Sequence, residues 1–150
     1  MYPSASLCPP RWASGRRWPL AAPREVLVVD DSTAVRLLVR SMAEAHGFVV
    51  REAADGVEAL ALLAGGANRY VVLLDYSMPA MSGWGVLKAI AAANELAWHV
   101  YLMMTADRAA LPGECTEFLE RHNIPLLVKP IRAAPLLAAL DLAQQQLADP

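Results

Sequence analysis

From Arg24 onward, short apolar runs alternate with segments rich in Ala and Leu whose apolar residues recur at helical spacing. This alternation predicts repeated strand–helix units, which pack as a parallel sheet covered by helices. Five such units follow one another, with strands predicted at residues 26–30, 49–53, 71–75, 99–105 and 126–128. The chain is therefore expected to adopt an α/β fold with a five-stranded parallel sheet and helices on both faces.

Capping residues mark the ends of the predicted helices. Ser32 is expected to cap the first helix and Gly47 to end it, while Asp55 should cap a second helix that runs through Leu63 and ends at Gly65 and Gly66. Later helices are predicted at about 84–93, from Pro112 as the first helical residue to about 122, and at 133–147. The apolar positions at helical spacing are Val35, Leu38, Val39 and Met42 in the first helix and Leu136, Leu137, Leu140 and Leu147 on the inner face of the last.

Residues 1–24 differ from the rest of the chain in composition. They contain five prolines, two tryptophans and four arginines, no acidic residue and no apolar periodicity. This composition is typical of an irregular tail. Residues 25–147 are expected to form one domain, because a chain of 150 residues has the length of a single ordinary domain.

Charge and cysteine content argue against several classes of function. Four of the 13 basic residues lie in the tail, so the remainder holds 9 basic and 15 acidic residues, a net charge of −6. An acidic body is poorly suited to binding nucleic-acid phosphates. No apolar run approaches the roughly 20 residues of a membrane span, so no membrane insertion is expected. Cys8 and Cys115 form no CxxC pair, so neither a zinc site nor a disulfide framework is expected.

Polar residues stand at the carboxyl ends of four predicted strands: Asp30 with Asp31, Asp75, Thr105 and Lys129. Ligands of open α/β sheets bind at this edge. Three neighbouring carboxylates repel one another and therefore favour a bound cation. Mg²⁺ suits such a site, because it takes a few carboxylates, a carbonyl and waters, and the backbone carbonyl of Ser77 is a candidate ligand.

The remaining two residues favour phosphoryl chemistry. Lys129 offers a mobile positive charge and Thr105 a hydroxyl donor, both suited to phosphoryl oxygens, and an aspartate carboxylate can attack phosphorus to form an acyl phosphate. Taken singly, a strand-end aspartate is more often a helix cap and such a lysine a solvated surface residue. The co-occurrence of all these groups at strand ends favours the chemical interpretation.

The ordered motifs resemble those of the receiver domains of two-component response regulators. The matching segments are Val-Val-Asp-Asp-Ser at 28–32, Leu-Leu-Asp-Tyr-Ser-Met-Pro at 73–79, Met-Ser-Gly at 81–83, Met-Thr-Ala at 104–106 and Val-Lys-Pro at 128–130. The resemblance covers about residues 25–147. It implies a flavodoxin-like (βα)5 three-layer sandwich with strand order 2-1-3-4-5, a cytoplasmic location and a cis peptide bond before Pro130.

The resemblance also implies roles for the site residues. Asp75 would accept the phosphoryl group, Asp31 would coordinate Mg²⁺ directly with the assistance of Asp30, and the Ser77 carbonyl would complete the protein ligands. Thr105 and Lys129 would contact the phosphoryl group. Self-catalysed phosphotransfer and autodephosphorylation are implied rather than the turnover of a separate substrate, and the side chains of Ser77 and Asp107 would flank the path of the attacking water.

A sensor histidine kinase or a phosphotransfer protein is the implied phosphodonor, and an unidentified protein is the implied downstream target of a stand-alone receiver. The first helix, with Thr33, Arg36 and Arg40 exposed, is the expected docking face for the kinase. The fourth helix through the fifth is the expected output face, and it carries Glu114, Glu117 and Glu120.

One departure from the family pattern keeps an alternative open. Leu126 stands where family members usually carry Tyr or Phe, three residues before the lysine, so a receiver-like module that binds a partner with an atypical switch is the first alternative. A phosphatase of the haloacid-dehalogenase type is the second, but such enzymes alternate their acids as Asp-x-Asp, whereas Asp30 and Asp31 are adjacent. No Gly-x-Gly-x-x-Gly follows the first strand, which argues against dinucleotide binding.

Overall fold

A computed structural model of the chain describes residues 24–65 and 68–148. The predicted irregular tail, apart from Arg24, lies outside the described residues, as does Gly66. The strands are β1 (Glu25–Val29), β2 (Val49–Ala53), β3 (Val71–Asp75), β4 (Val100–Thr105) and β5 (Leu126–Val128). The α-helices are α1 (Thr33–Ala45), α2 (Gly56–Gly65), α3 (Gly83–Ala92), α4 (Gly113–Arg121) and α5 (Ala133–Ala148), and short 3-10 turns lie at Leu96–Trp98 and Arg108–Ala110.

All five strands pair in parallel in the order β2-β1-β3-β4-β5. This arrangement confirms the predicted flavodoxin-like α/β fold and its strand order. Every residue of β1 and β3 is buried, which explains why both strands read as nearly continuous apolar runs. β2 and β5 form the two edges and have half-buried and exposed positions.

The sheet separates two apolar layers. On one face, α1 and α5 cover alternate residues of the central strands, including Val28, Leu73 and Met104. On the other face, α2, α3 and α4 cover the intervening residues, including Val29, Leu74 and Met103. Because successive side chains of a strand point to opposite faces, both layers depend on the register that the paired strands share.

The capping predictions agree with the structure at most helix ends. The Ser32 hydroxyl accepts a hydrogen bond from the Val35 N–H at 3.3 Å, and the Asp55 carboxylate accepts one from the Glu58 N–H at 2.7 Å. Gly47 follows α1 with a φ of +89°, a left-handed conformation that glycine adopts without strain. Pro112 is a correction: it caps α4 from outside, and Gly113 is the first helical residue.

Two further predictions are corrected. β1 begins and ends one residue earlier than predicted, so Asp30 follows the strand instead of ending it. Leu38 is 44% exposed while its neighbour Val39 is fully buried, because the buried stripe of α1 runs through Val39 and Ala43. Within the two described ranges, no helix is both long enough and apolar enough to cross a bilayer.

Candidate functional site

The carboxyl edge of the sheet brings together the polar residues that the sequence places after the strands. Asp30 follows β1, Asp75 ends β3, Thr105 ends β4 and Lys129 follows β5. β1 is hydrogen-bonded to β3, and β4 lies between β3 and β5. Residues that are up to 99 positions apart in the chain therefore meet at one edge.

Lys129 joins the two buried carboxylates of this edge. Its Nζ lies 2.7 Å from Oδ2 of Asp30 and 3.1 Å from Oδ1 of Asp75. Asp30 is 0% exposed and Asp75 is 3% exposed. The second oxygen of Asp30 accepts a hydrogen bond from the Ser32 N–H at 2.8 Å. Both oxygens of Asp30 are therefore engaged, as a buried charge requires.

Asp31 completes a group of three acids. Asp30, Asp31 and Asp75 each offer a carboxylate oxygen, and these oxygens lie within 4.8 Å of one another. Asp31 is exposed, so the group opens to solvent on one side. A set of oxygen donors with an open side fits Mg²⁺, which binds through a few carboxylates and retains waters. The residues present therefore suit the predicted ion.

The pKa values of Asp75 and Lys129 are both shifted at this site, where burial acts on both groups and Asp30 and Asp75 share the ammonium group of Lys129. Burial raises the pKa of Asp75, and the neighbouring Asp30 charge raises it further, against the lowering effects of Lys129 and of a backbone hydrogen bond from Ser77. Burial acts to lower the pKa of Lys129, but its hydrogen bonds to Asp30 and Asp75 outweigh burial, and the pKa is raised. Lys129 is therefore a cation at neutral pH, while the ionised form of Asp75 is disfavoured relative to an exposed aspartate.

The backbone around Asp75 is held on both sides. The Tyr76 N–H donates to the Met104 carbonyl at 2.8 Å, and the Tyr76 carbonyl accepts from the Gly83 N–H at 3.0 Å. A Cβ on Gly83 would overlap the backbone carbonyl of Asp75. The start of α3 can therefore lie against the end of β3 only because residue 83 is glycine.

Thr105 is buried, and its hydroxyl is engaged with the loop that follows β4. The hydroxyl donates to the Asp107 carbonyl at 3.1 Å and accepts from the Asp107 N–H at 3.2 Å. The Lys129 N–H donates to the Thr105 carbonyl at 2.7 Å. Ser77 is exposed in the turn after β3. The peptide bond between Lys129 and Pro130 is cis, as the family resemblance implies.

Arg36 also contributes to the site, from a helix position that was predicted to face solvent. Its Nη1 donates to the backbone carbonyl of Asp30 at 2.7 Å, and its Nε lies 3.2 Å from Oε1 of Glu52. Only 15% of its side chain is exposed, which corrects the prediction that Arg36 is exposed. Glu52 in an edge strand was the available signal, because an acid on β2 can pair with a base on the helix that connects β1 to β2.

Fold and site together define a flavodoxin-like domain with an acidic pocket and a lysine at the carboxyl edge of its sheet. Residues 26–141 match the family model described as the response regulator receiver domain. The chain therefore belongs to the response regulator receiver family, and the identification made from its motifs is confirmed.

Individual relatives agree with this assignment. The chain is 36% identical over 118 residues to chemotaxis protein CheY-3 of Vibrio cholerae, covering 78% of this chain and 88% of that protein. It is 32% identical over 111 residues to the two-component response regulator ORR11 of Oryza sativa, covering 74% of each chain. These matches do not favour the two alternatives, a receiver-like partner-binding module with an atypical switch or a phosphatase of the haloacid-dehalogenase type.

Solved structures show the same fold. Chemotaxis protein CheY4 of Vibrio cholerae superimposes with a TM-score of 0.68 at 31% identity, covering 82% of this chain and 99% of that one. A CheY-like response regulator receiver domain protein from Methanospirillum hungatei gives a TM-score of 0.69 at 28% identity, covering 81% and 95%.

Proposed function

We propose that the protein is a phosphorylation switch in which Asp75 accepts a phosphoryl group from a histidine kinase or a phosphotransfer protein in a Mg²⁺-dependent reaction. The observation that carries this proposal is the position of the Asp75 carboxylate, which lies beside two other carboxylates, those of Asp30 and Asp31, and the ammonium group of Lys129. The cytoplasm is the proposed location.

In the proposed transfer, a carboxylate oxygen of Asp75 attacks the phosphorus of a phosphohistidine. The bond between phosphorus and the imidazole nitrogen breaks, its electron pair remains on the protonated imidazole, and the donor leaves as neutral histidine. The product on Asp75 is an acyl phosphate. In the reverse direction of the switch, water attacks phosphorus, the bond to the Asp75 oxygen breaks, and inorganic phosphate leaves with the carboxylate restored.

The chain's own groups have distinct tasks in this step. Asp30, Asp31 and Asp75, with the Ser77 carbonyl, are the proposed holders of Mg²⁺, which when bound neutralises the charge that gathers on carboxylate and phosphoryl oxygens. Lys129 already contacts Asp75, and its ammonium group can donate to a phosphoryl oxygen there. To donate to the phosphoryl group, the Thr105 hydroxyl would have to give up the bond that it donates to the Asp107 carbonyl, so phosphorylation would release one of the two bonds that hold the loop after β4.

The output of the switch follows from that release. The loop carrying Asp107 connects β4 to α4, and Thr105 holds it through two hydrogen bonds to one residue. A movement of Thr105 toward Asp75 would therefore alter the surface between α4 and α5, where we propose that the downstream protein binds. Leu126 has no hydroxyl and is half-buried against the α2–α4 layer, so this switch would not use an aromatic side chain at that position.

Direct phosphorylation tests the proposal. Incubation with phosphoramidate and Mg²⁺ should add one phosphoryl group to the wild type, detected by intact-protein mass spectrometry, and none to Asp75→Asn. Asp55→Asn is the matched control, because Asp55 caps α2 outside the acidic group, and it should be labelled like the wild type. Equal labelling of Asp75→Asn would contradict the acceptor assignment, and undiminished labelling with a chelator would contradict the metal requirement.

A further inference from the structure

Arg36 is the cation that holds the backbone of the acidic pocket from the side of α1. Its guanidinium makes three contacts: with the carbonyl of Asp30 at 2.7 Å, with Glu52 at 3.2 Å and with the Thr33 hydroxyl at 3.3 Å. A guanidinium can make several such contacts at once, because its donors form a rigid fork. The fork ties α1, β2 and the residue after β1 together.

We propose that Arg36 is a positioning residue for the divalent cation, fixing the peptide between Asp30 and Asp31 so that the Asp31 carboxylate points into the pocket. The proposal rests on the proposed Mg²⁺-dependent function. It assigns Arg36 no contact with the metal or with the phosphoryl group.

The geometry of the Asp30–Asp31 peptide supports this role. The carbonyl that Arg36 holds belongs to that peptide, so its orientation sets the backbone from which the Asp31 side chain projects. The N–H of Asp30 donates to the Ala53 carbonyl at 3.2 Å, which fixes the other side of the residue. Within residues 24–65 and 68–148, no hydrogen bond to the exposed Asp31 carboxylate is found. Its direction therefore depends on the backbone that Arg36 restrains.

Arg40 provides an internal comparison one turn further along α1. Its Nη1 lies 2.7 Å from Oε2 of Glu52, its Nε lies 3.3 Å from Glu44, and its Nη2 donates to the Val50 carbonyl at 3.2 Å. Arg40 therefore shares Glu52 with Arg36 and also joins α1 to β2, but its contacts do not include Asp30 or Asp31. Both arginines therefore attach α1 to β2, but only Arg36 also restrains the peptide between Asp30 and Asp31.

Simple electrostatics and positioning predict opposite results. Removing a positive charge from the neighbourhood of a cation site reduces repulsion and should strengthen Mg²⁺ binding. Loss of the restraint on the Asp30–Asp31 peptide should weaken it, and loss of a group that orients metal ligands typically costs about 10–100-fold in affinity. The direction of the change therefore identifies the role of Arg36.

The test is Mg²⁺ titration by calorimetry of the wild type, Arg36→Met and Arg40→Met, all of full length. Arg36→Met should bind Mg²⁺ about 10-fold more weakly than the wild type, and Arg40→Met should not be weakened. Unchanged or tighter binding by Arg36→Met overturns the positioning role. An equal loss in Arg40→Met also overturns it, since both losses would then reflect the packing of α1 on β2.

A second variant covers the possibility that Arg36→Met does not fold, which thermal unfolding in chelator would reveal. Arg36→Lys keeps the positive charge and the long side chain but lacks the fork, so it cannot hold Asp30, Glu52 and Thr33 together. It should also bind Mg²⁺ more weakly, and wild-type affinity in Arg36→Lys overturns the role of the fork. Absence of Mg²⁺ binding by the wild type would overturn the proposed function as well, whereas wild-type binding with no loss in the Arg36 variants overturns the positioning role alone.

Discussion

The ammonium group of Lys129 reaches Oδ2 of Asp30 at 2.7 Å, across a separation of 99 residues in sequence. The same ammonium group is 3.1 Å from Asp75, so two buried carboxylates share one fixed cation. Without a bound metal ion, the pocket holds an excess of negative charge where solvent screening is weak. This excess both attracts a divalent cation and reduces the stability of the metal-free fold.

Neutralising Asp75 should therefore stabilise the metal-free protein. Burial and the charge of Asp30 raise the pKa of Asp75, so the folded state binds a proton more readily than the unfolded state does. The free energy of unfolding then falls as pH rises through the pKa values of Asp75 in the two states. At pH 7 with chelator, Asp75→Asn should show a higher urea midpoint than the wild type.

Two further measurements delimit this prediction. The advantage of Asp75→Asn should shrink as pH falls below the ordinary range of an aspartate, where the wild-type residue is protonated in both states. Glu117→Gln on the exposed side of α4 removes the same charge away from the pocket and should leave the midpoint unchanged. A metal-free Asp75→Asn protein that is less stable than the wild type would contradict the excess-charge account.

Gly83 should tolerate no side chain. A Cβ at this position overlaps the carbonyl of Asp75, and Asp75 is itself paired with Met104 of β4 in the sheet. The overlap can be relieved only if α3 moves away from β3, and overpacking of this kind typically lowers the free energy of unfolding by about 1–3 kcal/mol. Gly83→Ala should lower the free energy of unfolding by that amount in urea denaturation.

Gly113 is the matched control for Gly83. It is the first residue of α4, and a Cβ there meets no atom within 4 Å. Alanine forms helix more readily than glycine by about 1 kcal/mol, so Gly113→Ala should be neutral or slightly stabilising. If both substitutions lower stability equally, the close approach of Gly83 to Asp75 is not the cause.

The sequence predicted which strand-end residues meet at the site, but it did not predict which neighbouring residues hold them in place. Asp30, Asp75 and Lys129 could be placed together because parallel strands bring their carboxyl ends to one edge, and that inference needs no side-chain detail. The strand order came from the family resemblance. Helical spacing could not predict that the Arg36 side chain turns toward the acidic pocket. Its orientation depends on the contact with Glu52, and Glu52 becomes a neighbour only when β2 pairs with β1.

Helical periodicity also could not predict which apolar residues of α1 face the sheet. Leu37, Leu38 and Val39 are consecutive apolar residues, and the pattern cannot show which of them faces the sheet. Val39 is buried, whereas Leu37 and Leu38 are exposed, because the line of contact with the sheet passes through Val39 and Ala43. Such a choice is made by the angle at which the helix packs on the strands, which the sequence does not encode locally.

His99 should make the fold sensitive to acid. It is 4% exposed, its Nδ1 accepts from the Tyr70 N–H at 3.1 Å, and its Nε2 lies 3.4 Å from the Leu63 carbonyl. A neutral ring satisfies both contacts, whereas a protonated ring cannot accept from Tyr70. Burial lowers the pKa of His99 from 6.5 to about 4.

The sign of the pH effect follows from that shift. Between pH 6.5 and about 4 the unfolded state binds a proton that the folded state does not, so stability is full above 6.5 and is lost as pH falls. The loss attributable to His99 should reach about 3 kcal/mol near pH 4. In urea denaturation over this pH range, His99→Gln should lose less stability than the wild type. His122 is exposed, so His122→Gln should lose as much stability as the wild type does. Parallel curves for the wild type and His99→Gln would contradict the prediction.

Magnesium should raise the stability of the protein through the same acidic group that destabilises the metal-free form. A ligand that binds only the folded state stabilises it by RT ln(1 + [L]/Kd), which is about 2.7 kcal/mol at 100 times Kd. Asp31 is the exposed member of the group, so Asp31→Asn should fold normally yet lose most of this stabilisation. Thermal unfolding with increasing Mg²⁺ should shift the midpoint of the wild type and of Glu117→Gln upward together. A shift of the same size in Asp31→Asn would show that the ion does not bind through the three carboxylates.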